Sequence, residues 1–432
     1  MSAKPTIAEM RARYEGQFGV AAGYLPADID EVKRWLEQQL ASAKAARAVG
    51  ELVDNPAVSA LGELINTDFE IKNLFKLMLE ESGGQREHGS PITSVADLVD
   101  VMNLIVAQAP AFTDVKSQQN FFPMSSIFVH MMYTPAGMFL FTLVRFNNAV
   151  RAVLQSWCDY LDSPVSLNVI NKTDGWLSPP AARLMNLKDF VIPDPTAPNG
   201  EFTSFNDYFH REINLETRQL AGAGDPKVIV SANDGTVYRI ARNVQKSAEF
   251  MLKGQPYSLE NMLNNINENG VTVDSFVGGD VFQAFLSGAN YHRWRAPVSG
   301  KIVVQQPVAG LMFSELPWPG YDPSAGTLSQ GYQASVNTRG LVFIKADHAP
   351  LRTVCVMPIG ITEISSINFT RSVNDHVDKG DELGYFSYGG STLCVIFQPG
   401  AVKEFRWPYP KYPLCPPCPI SINVRDWIAL AN

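Results

Sequence analysis

Cysteine is scarce in this sequence: five residues, Cys158, Cys355, Cys394, Cys415 and Cys418, in a chain of 432. So sparse and odd a set excludes a disulfide framework. Cys415-Pro-Pro-Cys418 has the spacing of redox and zinc sites. No second pair and no neighbouring histidine accompany it, so neither a metal nor a redox centre is expected. Charge is thin as well, at 18% of residues with a net of -8, which argues against nucleic acid as a partner and against simple electrostatic docking on anionic lipid. The opening residues, MSAKPTIAEMRARYEG, lack the apolar core of a signal peptide, and the expected location is the cytoplasm. One stretch, Ser126 to Val144, carries no acid, lysine or arginine over a length that could cross a bilayer. Thr134-Pro135-Ala136-Gly137 breaks it in the middle and His130 sits in its first half, a pattern of two buried helices joined by a kink.

What the chain does have is apolar residues, 46% of the total, enough for a large core in two parts. The first part reads helical. Ile29, Val32, Leu36 and Leu40 share one face behind an Asp28 cap, and Asn55-Pro56 is a cap followed by proline at the first helical position. Thr67 or Asp68 starts the next helix, and Ser94-Val95-Ala96-Asp97 is a capping-box pattern. Between Gly175 and Gly200 five prolines crowd into a linker-like span. Beyond it come short β-branched runs at Val228 to Val230, Thr236 to Ile240, Val281 to Leu286, Lys301 to Val304, Leu341 to Ala346 and Thr353 to Met357. The expected fold is α+β: a helical domain over residues 1–190, then a β-rich, sandwich-like or barrel-like domain over residues 200–432.

The stretch VDKGDELGYFSYGGSTLCVIF, Val377 to Phe397, predicts two strands with a glycine-rich bend between them. Paired glycines mark a place where the backbone bends or is closely approached. By pattern alone Gly389-Gly390 is a bulged hairpin. The residue that follows is nonetheless a nucleophile, and the Ser391 hydroxyl can turn back on the Gly390 carbonyl, move the acyl group from nitrogen to oxygen, and eliminate to leave a pyruvoyl end.

GDELGYFSYGGST resembles the cleavage motif of the phosphatidylserine decarboxylase family, and three further segments resemble that family in order. Phe202 to Arg211 is similar to its aromatic entry element, whose other reading is an amphipathic helix with Arg211 at its end. Ser231-Ala232-Asn233-Asp234-Gly235 is similar to a turn whose aspartate belongs to the self-cleavage triad, although Asn-Asp-Gly between β-branched runs is also a good hairpin turn. Tyr291-His292-Arg293-Trp294-Arg295-Ala296-Pro297 resembles a motif with two histidines. The resemblance implies cleavage between Gly390 and Ser391, a covalent pyruvoyl cofactor made from Ser391, and a mature enzyme of two chains, the large one retaining its own cleaved fragment. It implies that Asp234 orients a histidine during cleavage and that His292 donates a proton or orients substrate during decarboxylation through a Schiff base.

The motif's second histidine, the usual triad base, is Arg295 here. A guanidinium stays protonated and has no acceptor lone pair, so Arg295 cannot be that base. His292 or another group serves instead, or processing is slow, or the chain stays uncut; His210, His348 and His376 lie in the same part of the sequence without an assigned place. The helical first part also resembles the L-tryptophan decarboxylase branch of the family, through Gly175-Trp176-Leu177, the kinked segment, Tyr257-Ser258-Leu259 and residues 362–365. The expected substrate is therefore a free, small-molecule amino acid, aromatic in character, with a membrane unnecessary. The alternatives are phosphatidylserine as substrate and an unprocessed, non-catalytic relative. Substrate-binding residues stay unassigned, since selectivity would depend on loops such as residues 318–331.

Overall fold

The computed structural model describes residues 25, 29–83, 89–115, 120–247, 257–317, 327–363, 366–407 and 420–432. The Asp28 cap, the Cys415 and Cys418 pair, Ile364 and Ser365, and most of the loop 318–331 lie outside them.

Helix ends in the first half follow local capping chemistry. Asn55 Oδ1 accepts from the N–H groups of Ala57 and Val58 ahead of the helix Pro56–Thr67. Asp68 caps Phe69–Ser82 through the N–H groups of Glu70 and Ile71. Ser94 Oγ accepts from Asp97 N–H at Val95–Val106, while the Asp97 carboxylate turns back to the N–H and hydroxyl of Thr93 instead of closing a reciprocal box on Ser94. The helix Ile29–Ala48 buries Ile29, Val32, Leu36 and Leu40, the face expected from their spacing. The uncharged stretch forms two short helices, Pro123–Phe128 and Pro135–Thr142, the second capped by Thr134. Among the described residues no helix is long and apolar enough to cross a membrane.

The proline-rich span is docked against the helical half, where a free linker was expected. Trp176 is buried, its Nε1–H donates to the Pro110 carbonyl at 2.7 Å, and Pro179 opens the short helix Pro179–Leu184. Prolines at the first helical positions start an element as readily as they mark a loop.

Strands, numbered along the chain, make up the second half, and the fold is α+β. An antiparallel sheet of eight contains β2 (Gly235–Val244), β5 (Gly279–Leu286), β7 (Gly300–Val308), β8 (Arg339–Ala346), β9 (Thr353–Gly360), β11 (His376–Val377), β13 (Ser391–Phe397) and β15 (Ser421–Ile422). Their spatial order is β11-β7-β8-β9-β13-β5-β2-β15. One face is covered by two three-stranded sheets, β1 (Val228–Val230) with β16 (Trp427–Ala431) and β14 (Val402–Phe405), and β10 (Ile367–Phe369) with β12 (Glu382–Phe386) and β6 (Arg293–Arg295). The other face carries the helices Leu259–Met262 and Gln330–Val336 beside the hairpin of β3 (Asn267–Glu268) and β4 (Val271–Thr272).

β13 is paired residue for residue with β5 on one side and β9 on the other, and is buried along its whole length. Leu393, Val395 and Phe397 enter the core under the covering sheets, while Cys394 and Ile396 enter the opposite core. Both faces are therefore apolar, which is why this strand reads as a continuous run with no alternation. The helical half is welded to this sheet. Glu363, just beyond β9, accepts from the N–H and hydroxyl of Ser125 at 2.7 and 2.8 Å, and Asn147 exchanges two hydrogen bonds with the Met312 backbone. One apolar cluster runs from the helices through Phe205, Phe209 and Phe313 to Tyr388.

Candidate active site

The turn-like motifs of the sequence are crossings between layers. Asn233-Asp234 joins β1 of a covering sheet to β2 of the main sheet. Tyr291-His292 joins β5 of the main sheet to β6 of the other cover, and Ser387 to Gly390 joins β12 of that cover back to β13. The hairpins expected from Asn-Asp-Gly and from Gly389-Gly390 are absent, because the strands on either side belong to different sheets. Glycine does the same local work in both geometries: Gly389 has φ +147°, and a Cβ on Gly235 would strike the Phe285 carbonyl.

Ser391 is fully buried at the head of β13, opposite Leu286 of β5 and Gly360 of β9. By strand parity it shares a face with Leu393 and Val395, the side covered by β6, β10 and β12. Its hydroxyl has no hydrogen-bond partner among the described residues. The adjoining Gly390 carbonyl accepts from Ile361 N–H at 3.0 Å. Thr392, pointing the other way, donates to the Ala284 carbonyl and accepts from Gln283.

His292 lies in the layer above that face. Its ring is stacked on Phe209 at 3.8 Å between centroids, and Phe209 in turn meets the edge of Tyr388, three residues before Ser391. Both ring nitrogens are buried without a well-formed hydrogen bond among the described residues. Burial, with the Arg211 guanidinium adding to it, pushes the imidazole down to about 3, although backbone at Gly288 and Ser287 favours the charged ring. The ring is neutral at working pH.

Asp234 reaches the same neighbourhood but holds an arginine, where a histidine was expected. Arg218 grips it with two bonds of 2.6 and 3.2 Å, and the N–H groups of Tyr291 and Val424 complete its shell. Burial pushes the Asp234 carboxyl above its ordinary range, with Arg218 opposing. The guanidinium is raised in turn by Asp234 and Asp189 against its own burial.

Arg295 is committed elsewhere. Its guanidinium donates to the Gly380 carbonyl at 3.0 Å and the Tyr291 hydroxyl at 3.0 Å, and pairs with Glu212 at 3.3 Å. Arg293 joins Glu212 and Glu382 in the same network. Of the other histidines, His348 is half-buried on the Asn432 carbonyl, His376 is exposed on Asp347, and His210 is half-buried against Tyr385 with its imidazole pushed down to about 4, mainly by desolvation. Arg218 and the Ile361 N–H carried no sequence signal; both come from long-range pairing. Among the described residues no cluster of histidine, cysteine and carboxylates could hold a metal ion, and Cys158, Cys355 and Cys394 are free.

In the helical half a cavity of about 470 Å³ is lined by Trp35, Phe112, Asn120, Pro123 and Trp157 among others. Trp157 separates it from Tyr388, which it meets edge-on at 5.4 Å.

A family model of phosphatidylserine decarboxylase matches residues 205–409, and a second model of phosphatidylserine decarboxylase matches residues 55–185. The decarboxylase iboD of Amanita muscaria is 34% identical over 302 residues, covering 66% of this chain and 85% of that protein. An L-tryptophan decarboxylase of Psilocybe cubensis is 30% identical over 323 residues, 69% of this chain and 72% of its own length. A phosphatidylserine decarboxylase proenzyme of Chlamydia felis is 32% identical over 204 residues, 47% of this chain and 62% of its own. With both halves matched and the crossings in place, the chain belongs to the phosphatidylserine decarboxylase family, on the side of its L-tryptophan decarboxylase branch, and is a decarboxylase.

Proposed function

We propose that this protein is a pyruvoyl-dependent decarboxylase of a free aromatic amino acid of the L-tryptophan kind, acting in the cytoplasm after cutting itself between Gly390 and Ser391. The observation that carries it is the Ser391 hydroxyl: fully buried, without a hydrogen-bond partner among the described residues, and on the residue whose peptide bond joins it to the Gly390 carbonyl. A buried hydroxyl left unpaired costs stability and is retained where it has chemical work.

Ser391 Oγ attacks the Gly390 carbonyl carbon. The bond to the Ser391 nitrogen breaks as an ester forms, and the hydroxyl proton passes to the released amine. Elimination then removes the Ser391 Cα proton to a base and breaks the ester's bond to Ser391 Cβ, leaving a Gly390 carboxylate, and one water hydrolyses the resulting dehydroalanine, releasing ammonia and leaving the pyruvoyl group. Ile361 N–H stabilises the negative charge that develops on the Gly390 oxygen. His292, neutral and with an available lone pair, is the base that moves the proton from Ser391 Oγ. Asp234 contributes indirectly, fixing the Tyr291 backbone beside His292 while Arg218 holds its charge.

A pyruvoyl group at Ser391 would supply a ketone for the substrate amine and, with the adjacent amide carbonyl, an electron sink for loss of carbon dioxide. His292 would relay to the carbon that loses the carboxyl a proton it first takes from the substrate's ammonium group. The fragment beginning at Ser391 stays in place because β13 lies between β5 and β9, β15 pairs with β2, and β16 pairs with β1. The likeness to L-tryptophan decarboxylases over both halves of the chain supports an aromatic side chain in the substrate.

Purified protein is expected to give two masses split before Ser391, the smaller with a blocked end, and to release amine from L-tryptophan in preference to phosphatidylserine vesicles. Ser391→Ala should be one inactive chain. Active protein that is a single full-length polypeptide would overturn the mechanism, and turnover of vesicles alone would move the substrate to the lipid.

A further inference from the structure

Arg211 is a buried cation with two of its three side-chain nitrogens unpartnered among the described residues. Its residue is 3% exposed, and the guanidinium lies 4.0 Å from the Phe190 ring centroid and 4.6 Å from that of Tyr208. Nη1 donates to the Tyr208 carbonyl at 3.1 Å. Nε and Nη2, the side of the guanidinium whose two N–H bonds run parallel, have no hydrogen-bond partner among the described residues. That edge matches the two oxygens of a carboxylate.

Among the described residues no carboxylate pairs with this edge. Asp234 is close enough to act on Arg211 electrostatically, yet both its oxygens are taken by Arg218 and by the N–H groups of Tyr291 and Val424. Leaving a guanidinium edge buried and unpaired is costly, and such a group is ordinarily matched by a counter-ion. Arg211 also sits where a substrate would be. It follows by two residues Phe209, which is stacked on His292, and its charge is felt by the His292 ring.

We propose that Arg211 is the anchor for the substrate's α-carboxylate, gripping it through the free Nε and Nη2 edge beside His292. The aromatic rings of Phe190 and Tyr208 hold the fork in one plane and keep water from it. An anchor of this kind is specific for the amino-acid end and indifferent to the side chain. The contact is uniform binding, made to the bound acid and kept up to the transition state, so it shows in KM and little in kcat.

The inference rests on the proposed amino-acid decarboxylase, and its test keeps the two apart. In Arg211→Gln, intact mass should still show the cut before Ser391, KM for L-tryptophan should rise about 10- to 100-fold with kcat within a few-fold, and inhibition by tryptamine, which has no carboxylate, should be unchanged. Arg211→Lys should fall between the variant and the parent. Equal changes for acid and amine, or none for either, would overturn the anchor while leaving cleavage and turnover standing. A second measurement needs no variant: the parent enzyme should be inhibited more strongly by α-methyl-tryptophan than by its carboxamide by a similar factor, and equal inhibition would overturn the anchor even where Arg211→Gln fails to fold. Absence of the cut or of any turnover in the parent would instead fall on the decarboxylase proposal.

Discussion

The segment from Tyr291 to Arg295 has two sides with opposite polar economies. Tyr291, Arg293 and Arg295 point one way, into a network in which two guanidinium groups, two carboxylates and a phenol all have partners. His292 and Trp294 point the other way, and there the His292 nitrogens and Trp294 Nε1 have none among the described residues. Arg211, whose charge acts on the His292 ring, and Ser391, three residues beyond Tyr388, add further groups unpartnered among the described residues. Strand alternation places the two settings within one residue of each other. A satisfied network fixes the register of β6 against β12 and the Glu212 loop, whereas concentrated unsatisfied polarity marks the place kept for a reacting group and its substrate.

The sharpest way to break this contrast is at His292. His292→Gln keeps a polar side chain but lacks a basic nitrogen, and cleavage before Ser391 should slow by about 10²- to 10⁴-fold, followed by the ratio of cut to uncut mass with time. An unchanged rate would place the base elsewhere. A smaller effect is expected on stability as pH falls. The unfolded chain protonates His292 and His210 near 6.5, whereas the folded protein resists until about 3 and about 4 respectively. Stability is therefore full above pH 6.5 and is lost on descending toward those values, by up to about 1.4 kcal/mol per pH unit for each ring. Urea melts from pH 7 to pH 4.5 should show a shallower decline in His292→Gln than in the parent. The smallest effect belongs to the satisfied side. Arg295→His removes the bond to the Gly380 carbonyl and the Glu212 pair, which should cost about 1–3 kcal/mol in a urea melt and leave the cleavage rate unaltered. Faster cleavage in that variant would restore position 295 as the seat of the base and dissolve the contrast.

Much of this was legible in the residues themselves, and the division follows the range of the interactions. Caps at Asn55, Asp68 and Ser94 could be read because a side chain bonding its own next turn is a local event. The run Leu393 to Phe397 could be read as a buried strand for the same reason. Gly389-Gly390 and Asn233-Asp234-Gly235 were legible as bends but not as crossings, since a hairpin and a change of sheet make the same local demands and differ only in which distant strand is the partner. Arg218 was invisible because its pairing with Asp234 depends on how two loops meet across the fold. Arg211 was visible as a residue at the end of an aromatic helix. Its idle edge exists only once every neighbour has found a partner.

The seating of β13 between two long neighbours has a consequence for the protein's lifetime. A strand in that position is built while the polypeptide is continuous, so on the proposed mechanism shaping precedes scission. After scission the assembly no longer has the connectivity that built it, and a heated sample should fail to regain its form on cooling even when the uncut Ser391→Ala protein does. Persistence of the working enzyme is then governed by how slowly β13 is released, a barrier height rather than an equilibrium.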